Sequence, residues 1–318
     1  MLTGTLCCWW WLFGMTPLVR NNLNLIETRG FAGYELVDSG GGRKLERFGA
    51  ITVDRPEPQA LWQPRLPRST WERADAVFSA SGEDEEKGKW RLDRAVPDSW
   101  PVDVDGVRIL CRLQGLWHLG LFPEQQPHWH WMLKQIEAVK AAGIERPRVL
   151  NLFGYTGAAS LLAAAAGAEV VHVDASKKAI QWGRDNQAAS KLDEAPIRWI
   201  LDDARKFTAR EVRRERDYHI LLVDPPKFGR GPKNETWDLF TDLPELLSDC
   251  ARLASAKSAA MVLTVYAIRA SSVAFAELTS ETFAKSGGVI DFGELAIRSK
   301  DGRAVVPTSL FVRWASHA

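Results

Sequence analysis

From residue 127 onward, short apolar runs alternate with stretches in which apolar residues recur every three or four positions. The runs RVLNLF (148–153), EVVHVD (169–174), IRWILDD (197–203), YHILLVDPP (218–226) and AAMVLTVY (259–266) read as buried strands. The segments HWHWMLKQIEAVKAAG (128–143), GAASLLAAAAG (157–167) and SKKAIQWGRDNQAASKL (176–192) read as helices closed by Gly or a polar turn. This order of βα units predicts a mostly parallel sheet, which GVIDFGELAIR (288–298) and SLFVRWA (309–315) complete as a long antiparallel C-terminal pair.

Between residues 30 and 122 the pattern changes to short alternating runs such as YELVDSG and VDVDGVRILCRL, set among Gly, Pro and Trp. A small β-rich region is expected there, with the charge-dense stretch 80–90, SGEDEEKGKW and the residue before it, as a solvated loop between strands. Residues 1–29 are expected to be an N-terminal extension, non-native or disordered. Its run MLTGTLCCWWWLFGM is too short to span a bilayer and lacks a basic n-region, and Met15 is a candidate start. The expected division is therefore 1–29, 30–122 and 123–318.

Composition narrows this little. A chain of 318 residues, 46% hydrophobic and 25% charged, has room for about two domains, and its net charge of +1 excludes only a strongly basic binder. Cys7, Cys8, Cys111 and Cys250 show no metal-ligand spacing with one another or with the six histidines. A reducing, cytoplasmic location and no metal are expected.

The chemistry gathers at the ends of the predicted strands. Gly154 and Gly157 flank Tyr155 and Thr156 after the first strand, where a sharp turn lets a ligand approach the backbone. A dinucleotide fingerprint needs G-x-G-x-x-G, and only G-x-x-G is present, which argues against NAD. Asp174 ends the second strand where a carboxylate can accept both hydroxyls of a ribose, with Ser176 better placed to cap the helix that follows. Asp202 and Asp203 end the third strand and suit either an adenine amino group or a helix cap. The fourth strand ends in DPPKF, whose two prolines stop the ladder and leave Asp224 and the Pro225 carbonyl facing the crevice.

With those residues in view, the half from about residue 120 onward resembles a class I S-adenosylmethionine-dependent methyltransferase. GLFPEQ, NLFGYTG, VDASKKAIQWGRDN, DDARKF and DPPKF, in this order, resemble the large-subunit ribosomal RNA methyltransferase group, including its cytosine-C5 members. DSGGGRKLERFG and PTSLFVRW are similar to a bacterial branch of that group, so the likeness spans nearly all of residues 34–314. The resemblance implies a Rossmann-like α/β fold, a seven-stranded methyltransferase sheet preceded by a small β-rich domain. It further implies that Asn151 and Phe153 to Gly157 (Phe153, Gly154, Tyr155, Thr156, Gly157) wrap the methionine end of S-adenosylmethionine. Asp174, with Ala175 and Ser176, would hold the ribose, and Asp203, with Ala204, the adenine. Gln125 would close over the cofactor. Asp224, Pro225, Pro226 and Lys227 would border the methyl group and the substrate.

In the cytosine-C5 relatives a cysteine follows strand five, because a thiolate must activate the ring carbon. Here LTVYAIRAS carries Val265 and Tyr266 at that place, and Cys111 and Cys250 fall in a strand and a helix as small hydrophobes. A nitrogen acceptor is the alternative, although Lys227 stands where the amino-methyltransferase pattern has an aromatic residue.

RNA is the expected partner, with one sequence-level support. ARKFTAREVRRER (204–216) carries six basic and two acidic residues, and Lys206, Arg210, Arg213 and Arg214 share a helical stripe that is either a phosphate track or a solvated face. Trp117, Trp129 and Trp131 are either base-stacking groups or core. A Rossmann-like oxidoreductase fits the strand pattern but not DPPKF, and a cofactor-binding protein without transfer activity remains the second alternative.

Overall fold

The computed structural model describes residues 18–81, 84–254, 258–266 and 269–316. The apolar start of the chain, with Cys7, Cys8 and Met15, lies outside the described residues.

Strand β1 (Leu18–Thr28) opens the described chain, and a five-stranded sheet follows from β2 (Tyr34–Gly40), β3 (Arg43–Phe48), β4 (Ile51–Pro56), β5 (Ala76–Ser81) and β6 (Asp84–Leu92). A single helical turn, α1 (Arg68–Trp71), joins β4 to β5, and the hairpin of β7 (Trp100–Val104) and β8 (Val107–Cys111) closes the β-rich region. Next come α2 (Gln126–Ala141), β9 (Arg148–Leu152), α3 (Ala158–Ala165), β10 (Glu169–Asp174), α4 (Lys177–Ala189), β11 (Ile197–Leu201), α5 (Ala204–Arg213) and β12 (Ile220–Val223). The chain ends with a short hairpin, β13 (Phe228–Arg230) and β14 (Thr236–Asp238), then α6 (Leu239–Leu253), β15 (Ala260–Tyr266), α7 (Ser272–Thr282), β16 (Gly288–Arg298) and β17 (Val305–Ala315).

All seven strands expected of the main sheet are present, and β1 joins them as an eighth, in the order β1-β16-β17-β15-β12-β9-β10-β11. Only β17 runs against its neighbours. Each central strand is apolar on both faces, as a sheet covered on both sides requires. Val149, Val170, Ile220, Leu222 and Val262 point into one core, while Leu150, Val171, Leu221, Val223 and Leu263 point into the other. The first core continues without a break into the β-rich region through Tyr34, Phe48, Trp100 and Ile109.

Two expectations are corrected. Residues 18–28 are not an extension outside the fold but an edge strand, paired parallel to β16 and tied to it by Asn24 Nδ2 donating to Asp291 Oδ1 (2.8 Å) and by a Glu27–Arg298 ion pair. Close approach is possible because residue 293 is glycine: a Cβ there would lie 1.8 Å from the Asn24 carbonyl oxygen. The charged stretch at 80–90 is not a loop between strands either, because Asp84–Leu92 is itself strand β6, paired antiparallel with β5. Backbone pairing satisfies the amides of such a segment whatever its side chains, and charge on an edge strand discourages further pairing.

Candidate active site

The sheet order reverses between β9 and β12, and the crevice outside their carboxyl ends is where such sheets hold ligands. A cavity of about 600 Å³, counting the solvent at its mouth, lies there. Its wall takes Asn151 and Phe153 to Thr156 from the end of β9, Asp224 from the end of β12 and Thr264 from β15, and Gly120 to Phe122, Gln125, His128 and Trp129 close it from the α2 side.

The loop after β9 is tightly constrained. Phe153 (φ 56°) and Tyr155 (φ 50°) both adopt the left-handed region that favours glycine, and Gly157 (φ 85°) starts α3 from the same region. Such residues cost on the order of 1 kcal/mol each and persist only where neighbours hold them. The Tyr155 amide donates to Asp174 Oδ2 (2.9 Å), Thr156 Oγ1 donates to the Gly120 carbonyl (2.6 Å), and Asn186 Nδ2 donates to the Thr156 carbonyl (2.9 Å). Underneath, Asn151 Nδ2 donates to Ser160 Oγ (2.9 Å), which lies 2.9 Å from His172 Nδ1. Burial pulls the His172 pKa down to about 3, so the ring is neutral. A Cβ on Gly154 would meet the His172 ring at 2.4 Å, and one on Gly157 would meet Trp199 at 2.6 Å. Glycine is needed at both positions because these rings pack directly against the loop backbone.

Asp174 accepts backbone amides with both oxygens, from Tyr155 and from Ser176 (2.7 Å), and burial raises its pKa against those two bonds. Ser176 caps α4 through the Ala179 amide (3.2 Å), as its spacing suggests. Asp203 caps α5 through the Lys206 amide (3.0 Å), so the cap reading of this residue is realised whatever else it contacts. Asp174 ends β10, Ala175 and Ser176 follow it, and Asp203 and Ala204 follow β11 along the same sheet edge, but none of these lines the cavity.

At the inner end, Gln125 Nε2 donates to Asp224 Oδ2 (3.2 Å) and to Tyr266 Oη (2.7 Å). The second oxygen, Asp224 Oδ1, is buried in the wall without a partner, as is His128 Nε2. Burial, reinforced by the nearby Glu124 carboxylate, holds the Asp224 carboxyl well above the usual carboxylate range. His128 Nδ1 accepts from Arg313 Nε (2.9 Å), which leaves Nε2 to carry the proton of the neutral ring. Phe122 roofs this corner, its ring 5.6 Å from Tyr155 and 5.5 Å from Tyr266.

Of the other DPPKF residues, Pro225 is buried, while Pro226 and Lys227 are exposed outside the cavity lining. The Pro226 carbonyl accepts from Trp237 Nε1 (2.7 Å), and Trp237 packs on Phe153 with ring centroids 4.9 Å apart. DPPKF thus fixes the loop after β9 through a tryptophan eleven residues on.

The structure brings Gln125, Asn151, Phe153 to Thr156 and Asp224 to one wall. It adds Phe122, which lies within GLFPEQ, together with His128 and Thr264 in the wall and Tyr266 behind Gln125, and these last three come from elements far apart in sequence. Three of the four cations in the α5 stripe are ion-paired: Lys206 to Glu235 (2.6 Å), Arg210 to Asp202 and Arg214 to Glu211 (3.2 Å). Of the tryptophans, Trp129 is buried in the cavity wall, whereas Trp131 lies beside Arg313, and Trp117 donates to its neighbour His118. Among the described residues no group of His, Cys, Asp or Glu is arranged to hold a metal ion.

Comparison with known proteins agrees with this geometry. A sequence profile of the S-adenosylmethionine-dependent methyltransferase family matches residues 86–281. A solved S-adenosylmethionine-dependent methyltransferase from Agrobacterium tumefaciens is 48% identical, with a TM-score of 0.88 over 94% of this chain and 96% of that one. Ribosomal RNA large subunit methyltransferase K/L of Shewanella frigidimarina is 32% identical over 47% of this chain. The corresponding methyltransferase I of Citrobacter koseri is 29% identical over 42% of it. The chain spans 20% and 32% of the length of those two relatives.

The residues present fit the family's cofactor. The cavity wall offers an unpartnered oxygen, Asp224 Oδ1, and an unpartnered N–H, His128 Nε2. Asn151, Phe153 to Thr156, Gln125 and Asp224 would hold its methionine end, with Asp174 on the same edge for a ribose. On profile, structure and site together, the chain belongs to the S-adenosylmethionine-dependent methyltransferase family, with S-adenosylmethionine as its cofactor.

Proposed function

We propose that this protein methylates a nitrogen of an RNA base, acting in the cytoplasm. RNA is supported by its relatives, two of which are named as ribosomal RNA methyltransferases. Nitrogen rests on one observation: Asp224, in the cavity wall, keeps a buried oxygen, Oδ1, without a partner, and among the described residues no thiol lines the cavity. Cys111 and Cys250 are fully buried elsewhere, and burial pushes both thiols up, away from the thiolate that carbon methylation needs.

When bound, S-adenosylmethionine supplies an electrophilic methyl carbon on a sulfonium. A nitrogen lone pair can displace the thioether sulfur from such a carbon without an enzyme nucleophile, the methylated nitrogen then losing its extra proton to water, so the chain's own task is to position and desolvate the acceptor. Asp224 Oδ1 is the hydrogen-bonding group for that acceptor. Gln125 fixes the carboxyl by holding Oδ2, and Tyr266 in turn fixes the Gln125 amide. Phe122 covers the corner from solvent.

Titration calorimetry with S-adenosylmethionine and with NAD, on the protein and on Asp174→Ala, tests the cofactor site. We expect micromolar binding of the first ligand only, weakened about tenfold or more in the variant because Tyr155 and Ser176 lose their acceptor. The acceptor is tested by incubating the protein with labelled S-adenosylmethionine and total RNA, then digesting to nucleosides. N-methylated nucleosides are expected, and 5-methylcytidine as the sole product would overturn the nitrogen assignment.

A further inference from the structure

The hairpin that follows DPPKF is built as two unlike surfaces. Its inner side is fastened to the cofactor loop and to α5. Trp237 is buried against Phe153, Lys206 pairs with Glu235, Arg205 donates to the Thr236 carbonyl (2.7 Å), and the Leu239 amide donates to the Lys227 carbonyl (3.0 Å). Its outer side carries Phe228, 62% exposed, together with exposed Arg230 and Lys233. Neither cation has a carboxylate partner among the described residues, and the one acidic side chain in the turn, Glu235, is taken by Lys206 and by the Lys233 amide. This contrasts with the α5 stripe next to it, where three of the four cations are paired. Lys227, at the root of the hairpin, lies 5.1 Å from the Phe228 ring, and three residues separate that ring from Asp224.

An exposed aromatic face flanked by unpaired cations, carried on a rigid mount beside a catalytic crevice, fits a nucleic acid strand whose bases are unstacked. Stacking needs a free base face, and exposed cations suit phosphates, which position a strand, rather than base edges. Resting on the RNA reading above, we propose that the outer face of the β13–β14 hairpin holds single-stranded RNA next to the acceptor. Phe228 stacks on a neighbouring base, and Arg230 and Lys233 contact phosphates.

The test is fluorescence anisotropy of a fluorescein-labelled single-stranded RNA of mixed sequence, titrated with the full chain across a salt series. Cofactor affinity is measured in parallel by calorimetry on the same preparations. The Phe228→Ala variant should bind about tenfold more weakly. The double variant Arg230→Ala/Lys233→Ala should reduce the slope of log K against log salt by about 1.4, the value for two phosphate contacts on a single strand. Cofactor affinity should not change, because these side chains lie outside the cavity wall.

If the unaltered protein binds RNA and the variants bind it equally well with the same slope, the hairpin assignment fails while the RNA reading stands. If the protein binds cofactor but not RNA, the RNA reading fails and this inference with it. If the variants instead alter the association state seen by light scattering with RNA affinity unchanged, the face is a protein interface and the proposal is overturned.

Discussion

Asp224 carries opposing demands in one side chain. One oxygen accepts from Gln125, the other is buried without a partner, and Glu124 adds a second carboxylate to the same interior. Its folded-state pKa is raised, so folding is most favourable below the unfolded carboxylate value. That advantage is lost as pH rises from there through the folded value, since the unfolded chain ionises first. Asp224→Asn removes this penalty. We expect the variant to gain about 1 kcal/mol at pH 8 in the absence of ligands, with the gain shrinking as pH falls toward the unfolded carboxylate range. Turnover should fall about 100-fold through loss of acceptor positioning. Urea unfolding at several pH values reads the first effect, and a flat difference across pH would show that the carboxyl is not strained. The sequence shows this residue because two prolines mark it. Its partners Gln125, Tyr266 and His128 become neighbours only through the crossovers of the sheet, and of these only Gln125 is reached from a motif, FPEQ.

At the scale of elements, the loop between β9 and α3 is readable from its glycines, yet the reason for Gly157 is Trp199, forty-two residues on in β11. Gly157→Ala combines a positive φ with a Cβ 2.6 Å from that ring. Overpacking of this kind costs about 1–3 kcal/mol, and the backbone term adds about 1. We therefore expect a lower urea midpoint together with weaker cofactor binding, whereas a midpoint equal to that of the parent would mean that Trp199 yields freely. Strand β1 was legible only in part. NLNLIE alternates as an edge strand does, but Leu23 and Leu25 on its open face are exposed, and no composition signal points to β16, more than 250 residues away, as its partner. The contact at Gly293 gives it away in three dimensions. Gly293→Val should strip β1 from the sheet and open Leu18–Thr28 to limited proteolysis, leaving the rest of the chain resistant. An unchanged cleavage pattern would mean that the edge can be rebuilt around a side chain.

The molecule as a whole is bound together by a core that ignores the composition boundary near residue 122. Tyr34, Phe48 and Trp100 belong to the same apolar cluster as Met132, Val149 and Ile220. Next to it lies a buried polar set. Arg55 Nε donates to Glu46 Oε2 (2.5 Å), Tyr34 Oη donates to Glu46 Oε1 (2.7 Å), and Lys44 Nζ donates to Glu57 Oε2 (2.9 Å). Glu124, adjacent to Gln125 in the cavity wall, feels Lys44, Arg55 and Glu46, so the β-rich region bears on the electrostatics of the crevice as well as its packing. The shift from alternating to helical periodicity marks where the secondary structure changes, but not whether the two parts share an interior, since that depends on contacts between distant positions. Glu46→Leu leaves the Arg55 charge buried without its partner and should cost about 3–5 kcal/mol. Because the core is continuous, that loss should reach both parts at once: amide hydrogens of β3 and of β9 should lose protection by equal amounts in native-state exchange. Loss confined to β3 would instead show that the β-rich region opens by itself, and its charges would then bear on the crevice only in the fraction of molecules where it is closed.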